Sequence, residues 1–255
     1  MDKQAVLAAF DHQVRKHPTT DGEVERDHDV VRTVGSGWTG VEWSALDAAR
    51  ADAVIAAQVA RFAGRPWEWK HYSYDSPDDL PARLVAAGLT PEPSETLLVA
   101  EIADLRLDVP PPDGVDLVPV VDRAGVGALV AVHDEVFGGD HAAVGDLVLA
   151  GLEREPSTLA AVVAMAGDTP VSAARVEFHL GTEFASLWGG GTLPLWRGRG
   201  VFRALVAFRA AQAAARGFRY LQVDATADSL PILRRLGFVD LATTTPFVHP
   251  GAVRR

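Results

Sequence analysis

Residues 183 to 216 read EFASLWGGGTLPLWRGRGVFRALVAFRAAQAAAR. An apolar run meets Gly189, Gly190 and Gly191, then Pro194, then Gly198 and Gly200. It passes into an alanine-rich stretch in which Val201, Leu205, Phe208 and Gln212 share one side of a helix. A strand that turns on glycines and opens a helix accommodates this order. Such a junction leaves several backbone N–H groups unpaired at the positive end of the helix, which suits a phosphate or pyrophosphate. Gly198 and Gly200 let a ligand approach without a Cβ in the way, and Arg197, Arg199 and Arg203 can add charge-assisted hydrogen bonds. Taken alone, the same residues would also make a plain basic corner between strand and helix.

Two common phosphate loops are excluded. The P-loop pattern needs a lysine after its second glycine, and no lysine follows Lys70. The dinucleotide pattern fails because Gly198 and Gly200 supply its first two glycines while Arg203 stands where the third belongs.

The chain divides at LRLDVPPPDGVDLVPV (105–120), whose consecutive prolines and Asp113-Gly114 continue neither a helix nor a central strand. This predicts two domains, 1–108 and 114–255. In the second, period and turn signals predict strands at 115–120, 158–167, 171–180, 183–193 and 219–226, with closing strands within 238–249. Helices are predicted at 124–137, about 200–216 and 229–237. The first half gives strands at 30–35, 40–46, 67–75 and 95–102 and helices at 47–64 and 78–89. That order resembles the second half without any counterpart of RGRG, as a diverged duplication or a simple recurrence of strand–helix–strand units would produce.

Composition narrows the function. A formal net charge of -10 argues against nucleic acid as a main ligand and mildly favours cationic amines. No stretch approaches the ~20 apolar residues of a membrane span. The N-terminus lacks the long apolar region of a signal peptide, so the expected compartment is the cytoplasm. The absence of cysteine excludes disulfides, thiolate metal sites and a cysteine nucleophile.

In this context the turn resembles the hallmark of the GCN5-related N-acetyltransferase (GNAT) family, Gln/Arg-x-x-Gly-x-Gly/Ala. In that family it follows strand β4 and opens a helix that holds the pyrophosphate of acetyl-coenzyme A. Arg197-Gly198-Arg199-Gly200-Val201-Phe202 matches at Arg197 and Gly200, with Phe202 where Gly or Ala is usual, and Pro194 falls at the family's common proline. Ile232-Leu233-Arg234-Arg235-Leu236-Gly237-Phe238 resembles the family's Leu-Tyr-x-Lys-Leu-Gly-Phe. There Leu233 replaces the tyrosine often used as acid toward the departing thiolate.

The resemblance covers about residues 115–250. It implies an α/β (α+β) fold: a central mixed, mostly antiparallel twisted sheet flanked by helices, here as two tandem domains of that kind with the first degenerate. It also implies acetyl-coenzyme A as cofactor. Gly191, Thr192 and Leu193 would bond the pantetheine where β4 and β5 splay apart. Arg197, Gly198, Arg199, Gly200, Val201, Phe202 and Arg203 would surround the pyrophosphate, with Thr226 after the next strand. The triple glycine allows a β-bulge and a close backbone approach there, and a flexible strand end would use the same residues.

The implied reaction moves an acetyl group to a primary amine of a small molecule, peptide or protein. Glu177, flanked by Val176 and Phe178, is the first candidate base, with an ion pair to an arginine as the competing explanation, and Glu183 is the second. Ser186 stands roughly where relatives often carry a glutamate. The segment HDEVFGGDH (133–141) holds two histidines and three acids, but a Gly-Gly break separates the histidines and no metal is expected. Phe137, Asp140 and His141 are expected to line the acceptor pocket, because that region does so in the family. ERDHDV (25–30) reads as a charged surface loop. A non-catalytic acyl-coenzyme-A-binding or regulatory module is the alternative function. The first half would stabilise the second, shape the acceptor pocket or mediate a homodimer.

Overall fold

The computed structural model describes residues 1–19, 22–35, 38–154 and 157–250. The chain forms two compact units, each discontinuous in sequence where the prolines suggest a single cut. One comprises Met1–Leu98, Asp224–Ile232 and Asp240–Arg255, the other Val99–Val223 and Leu233–Val239.

In the first unit, α1 (Lys3–Phe10) is capped by Asp2, whose carboxylate accepts from the Gln4 amide at 3.0 Å, and it runs on into a π-helical turn. Strands β1 (Glu23–Arg26), β2 (Val30–Val34) and β3 (Thr39–Ser44) form an antiparallel meander, and β3 pairs in parallel with β4 (Trp67–Tyr72). Between them α2 (Ala51–Arg61) makes the crossover that a parallel pair requires. After α3 (Leu80–Ala86), the short β5 (Thr90–Pro91) and β6 (Glu95–Glu101) follow. The last strand, β12 (Val239–His249), pairs antiparallel with β4 and β5. One sheet face buries Val41, Trp67, Trp69 and Phe247 against Ile55 of α2 and Leu80 and Leu84 of α3. The other face is polar: Lys70 is ion-paired with Asp224, and Glu42 accepts from Thr33 Oγ1 at 3.3 Å. The segment 25–30, expected as a charged surface loop, is exposed at Arg26, Asp27 and His28, while its ends belong to β1 and β2 and are tied down. Asp29 is buried and paired with Arg50, and Glu25 accepts from Arg32 at 2.7 Å and from Arg61.

In the second unit the strands lie in the order β7 (Asp116–Val120), β8 (Leu159–Ala166), β9 (Thr169–Phe178), β10 (Phe184–Thr192) and β11 (Tyr220–Ala225). All neighbours are antiparallel except β10 and β11. Alternation along β8 divides the core. Ala161 and Val163 pack with Leu129 and Val132 of α4 (Arg123–Phe137) and Val148 of α5 (Ala142–Glu153). Val162 and Ala164 pack on the opposite face with Val201 and Leu205 of α6 (Val201–Ala215). Helix α5 was not expected from the sequence. The segment α7 (Leu230–Arg235) crosses the boundary between the units. Among the described residues no helix is long and apolar enough to cross a membrane.

Candidate active site

The site begins where a ladder stops. Among the described residues, β10 pairs in parallel with β11 from Phe184–Ser186 to Tyr220–Gln222, and β10 continues to Thr192. The Ser186 hydroxyl donates to Gln222 Oε1 at 2.7 Å and meets His179 Nε2 at 2.5 Å, so a buried polar network closes the paired end. Burial pushes the His179 pKa down.

Beyond this point β10 shifts register against β9 between Trp188 and Gly191, a bulge of the kind that the glycine run allows. Helices approach that bulge from both sides. A Cβ at Gly189 would stand 2.7 Å from the His133 ring, one at Gly190 2.9 Å from the Phe202 ring, and one at Gly191 3.1 Å from the Phe137 ring. The glycines therefore admit α4 and α6 to the strand as well as allowing the bulge. His133 Nε2 donates to the Gly189 carbonyl at 2.9 Å, and since a carbonyl only accepts, Nε2 carries the proton. Burial pushes this histidine down to about 4 despite that bond, so it is neutral at neutral pH.

The backbone expected to greet a pantetheine is largely occupied. The Gly191 carbonyl accepts from Ser172 Oγ at 2.6 Å, the Thr192 carbonyl from Arg197 Nε at 3.0 Å, and the Leu193 amide donates to the Val171 carbonyl at 2.9 Å. Gly190 is left exposed at the open edge.

A short 3-10 turn, Pro194–Trp196, leads into the basic corner. Gly198 (φ 74°) and Gly200 (φ 93°) take left-handed conformations that a side chain would strain. Gly200 precedes α6 and no side chain caps that helix. Arg197–Gly200 form a turn, and no side chain among the described residues accepts from the first amides of α6. Arg197, Arg199 and Arg203 are exposed, and Arg199 stacks 4.9 Å from the centre of the Trp196 ring. Along the same helix a cleft of about 360 Å³ is lined by Arg106, Arg203, Arg235, Val206, Ala210 and Leu236, three guanidiniums around an apolar floor.

Sequence comparison finds no matching family model and no matching curated protein. Solved structures do match. A GCN5-related N-acetyltransferase from Kribbella flavida superposes with a TM-score of 0.65 at 20% identity, over 98% of this chain and 95% of its own. A functionally unknown conserved protein from Staphylococcus epidermidis gives 0.67 at 14% identity, over 93% and 97%. A tandem GNAT protein from the clavulanic acid biosynthesis pathway gives 0.60 at 13%, over 91% and 83%. The chain has the GNAT fold.

Within this GNAT fold the residues singled out in the sequence scatter. Phe137 reaches the bulge at Gly191 and groups with His133 and His141 through ring contacts of 5.4 and 5.9 Å. His141 Nδ1 lies 3.0 Å from Asp134 Oδ1, a pairing that holds the Asp134 carboxyl below its usual range. Asp140 accepts from the Ala142 amide at 2.8 Å, so it caps α5. Glu177 accepts from Arg175 Nε at 2.7 Å, the ion pair weighed against a catalytic role, and stands opposite Ser186 at the end of the β10–β11 ladder. Glu183 precedes β10 at the end away from the glycines. It is half exposed and pairs with Arg219 at 3.4 Å, so it is not brought to the bulge. Thr226 lies in the first unit with its hydroxyl beside Ser229. Phe202 turns its ring over Gly190.

Sequence reasoning weighed His133 only as a metal ligand and missed Ser172 and Arg209. Arg209 is 1% exposed in the middle of α6. Its Nε donates to the Leu205 carbonyl at 3.0 Å, its Nη1 to the Arg175 carbonyl at 3.4 Å, and its Nη2 has no partner. Burial and the neighbouring Arg175 push its pKa down to about 9.

Proposed function

We propose that the chain is an acyl-coenzyme-A-dependent N-acyltransferase, with the acetyl group as the simplest cargo and a primary amine of a small molecule or peptide as acceptor. The observation that carries this reading is the uncapped N-terminus of α6 behind the left-handed Gly200, placed after the glycine bulge of β10. The residues fit the group. The uncapped start of α6 behind the left-handed Gly198 and Gly200, backed by Arg197, Arg199 and Arg203, suits a pyrophosphate. The cleft lined by Arg106, Arg203 and Arg235 suits the nucleotide end, and the open edge at Gly190 suits the pantetheine.

Bound there, acyl-coenzyme A supplies a thioester carbonyl, at which a C–N bond to the amine replaces the C–S bond and sulfur leaves as thiolate. His133 and Ser172 hold the bulge carbonyls, which keeps the edge in one conformation. Glu177, aligned by Arg175, accepts the amine proton directly or through water. Phe137 shields the acceptor side, and the Asp134–His141 pair offers negative charge to a cationic amine. Leu233 is buried and apolar, so water protonates the thiolate.

Titration with acetyl-coenzyme A, followed by thermal melting and by thiol release over a panel of amines, tests the reading. Saturation at ~100-fold over Kd should stabilise the chain by roughly 2.7 kcal/mol. Gly200→Val, which strains the left-handed residue, should abolish that stabilisation. Stabilisation without thiol release on any amine would favour a binding module, and no stabilisation would refute the proposal.

A further inference from the structure

Among the described residues, Arg209 is a charge without a counter-charge. Both groups that it bonds, the carbonyls of Leu205 and Arg175, are neutral, and Nη2 bonds nothing. The neighbouring Arg175 repels it. A buried guanidinium held this way is costly unless an anion joins it. Its position says where that anion would come from. Nη2 lies 3.5 Å from the point that a Gly190 Cβ would occupy, and Gly190 is exposed on β10 beyond the residues paired with β11. Nη2 is buried there beside the Phe202 ring, which stands 2.9 Å from the same point, so a molecule lying along β10 would meet it once that ring turns aside.

We infer that the acyl donor ends in a carboxylate, so that the chain takes a dicarboxylic acyl thioester, malonyl- or succinyl-coenzyme A, in preference to acetyl-coenzyme A. This rests on the reading of the edge as the acyl-coenzyme-A site. An acetyl methyl offers nothing to a cation, whereas a carboxylate brought to the Gly190 backbone meets Nη2 and supplies the missing charge. The transfer balances as before: the amine nitrogen bonds the thioester carbon, the C–S bond breaks, and the free carboxylate travels with the acyl group into the amide product.

Dissociation constants of coenzyme A and its acetyl, butyryl, malonyl and succinyl thioesters, measured by calorimetry on the full chain, test this without any acceptor. A charge-assisted hydrogen bond in a dry site should make a malonyl or succinyl thioester at least ~10-fold tighter than acetyl and butyryl. Arg209→Met should erase the preference with unchanged affinity for free coenzyme A, and Arg209→Lys, which keeps the charge, should retain part of it. Equal binding of charged and neutral thioesters by the natural chain, or a preference that survives in Arg209→Met, overturns the inference and leaves acyl-coenzyme-A recognition standing. Failure of every thioester to bind overturns both.

Discussion

Gly190 and Phe202 occupy one volume between them, and that sharing has a measurable energy. Alanine at 190 would place its Cβ 2.9 Å from Phe202 Cε2, well inside the ~3.5–4.0 Å at which carbon atoms attract. The ring lies between β10 and α6, so relief requires the strand or the helix to move, and overpacking of this kind costs about 1–3 kcal/mol. Phe202→Ala removes a half-buried ring and should cost about 2 kcal/mol, below the 3–5 kcal/mol of a fully buried phenylalanine. In the double variant the new methyl enters the space that the ring vacated. Its total cost should therefore fall short of the sum of the single costs by about 1–2 kcal/mol. Urea denaturation of the four proteins at neutral pH measures this coupling. Additivity within ~0.5 kcal/mol would refute the idea that the missing side chain at 190 exists to seat the ring.

Two further predictions concern pH. His133 has a folded-state pKa near 4 against an ordinary 6.5, so the unfolded chain binds the extra proton between these values. Its contribution is present above about 6.5 and falls away as pH drops toward 4, by about 3 kcal/mol at most, and His133→Gln should flatten that part of a stability–pH curve. Glu42 runs the other way. Burial raises it from 4.5 to about 7, so its contribution is full below 4.5 and lost as pH rises through 7. Glu42→Gln should melt higher than the natural chain in alkaline buffer, with the difference shrinking in mild acid, and an equal shift at both would refute the assignment.

The junction was the most legible part of the sequence. Three adjacent glycines before a proline and two more glycines allow a bulge and forecast a turn and a helix, and β10, the corner and α6 follow in that order. What escaped has physical reasons. Helix α5 hides because Gly145 and Gly151 read as breakers. In the structure a Cβ at Gly145 would stand 2.9 Å from Val130, so this glycine serves close packing of α4 and α5. Arg209 lies one helical turn after Leu205, on the buried side, but its charge argues for solvent, and only the fold shows it enclosed. Ser172 and His133 act on backbone carbonyls of β10, and sequence spacing carries no trace of such partners. Glu183 drew notice through its type and strand, whereas position along that strand decides what it can reach.

The last strand has a consequence for how the chain is made. β12 bonds to β4 and β5, elements that leave the ribosome more than a hundred residues earlier. During synthesis β4 waits with one edge bare while the whole second unit is translated, and long-range pairing of this kind is slow. A fragment ending near residue 108 would keep that edge permanently open, and one beginning near 114 would carry a strand with nowhere to go. Edges of this sort invite pairing between copies. The two units are therefore compact in space yet inseparable as genes: each half expressed alone is a candidate for aggregation, and only the full-length polypeptide completes the first unit's sheet.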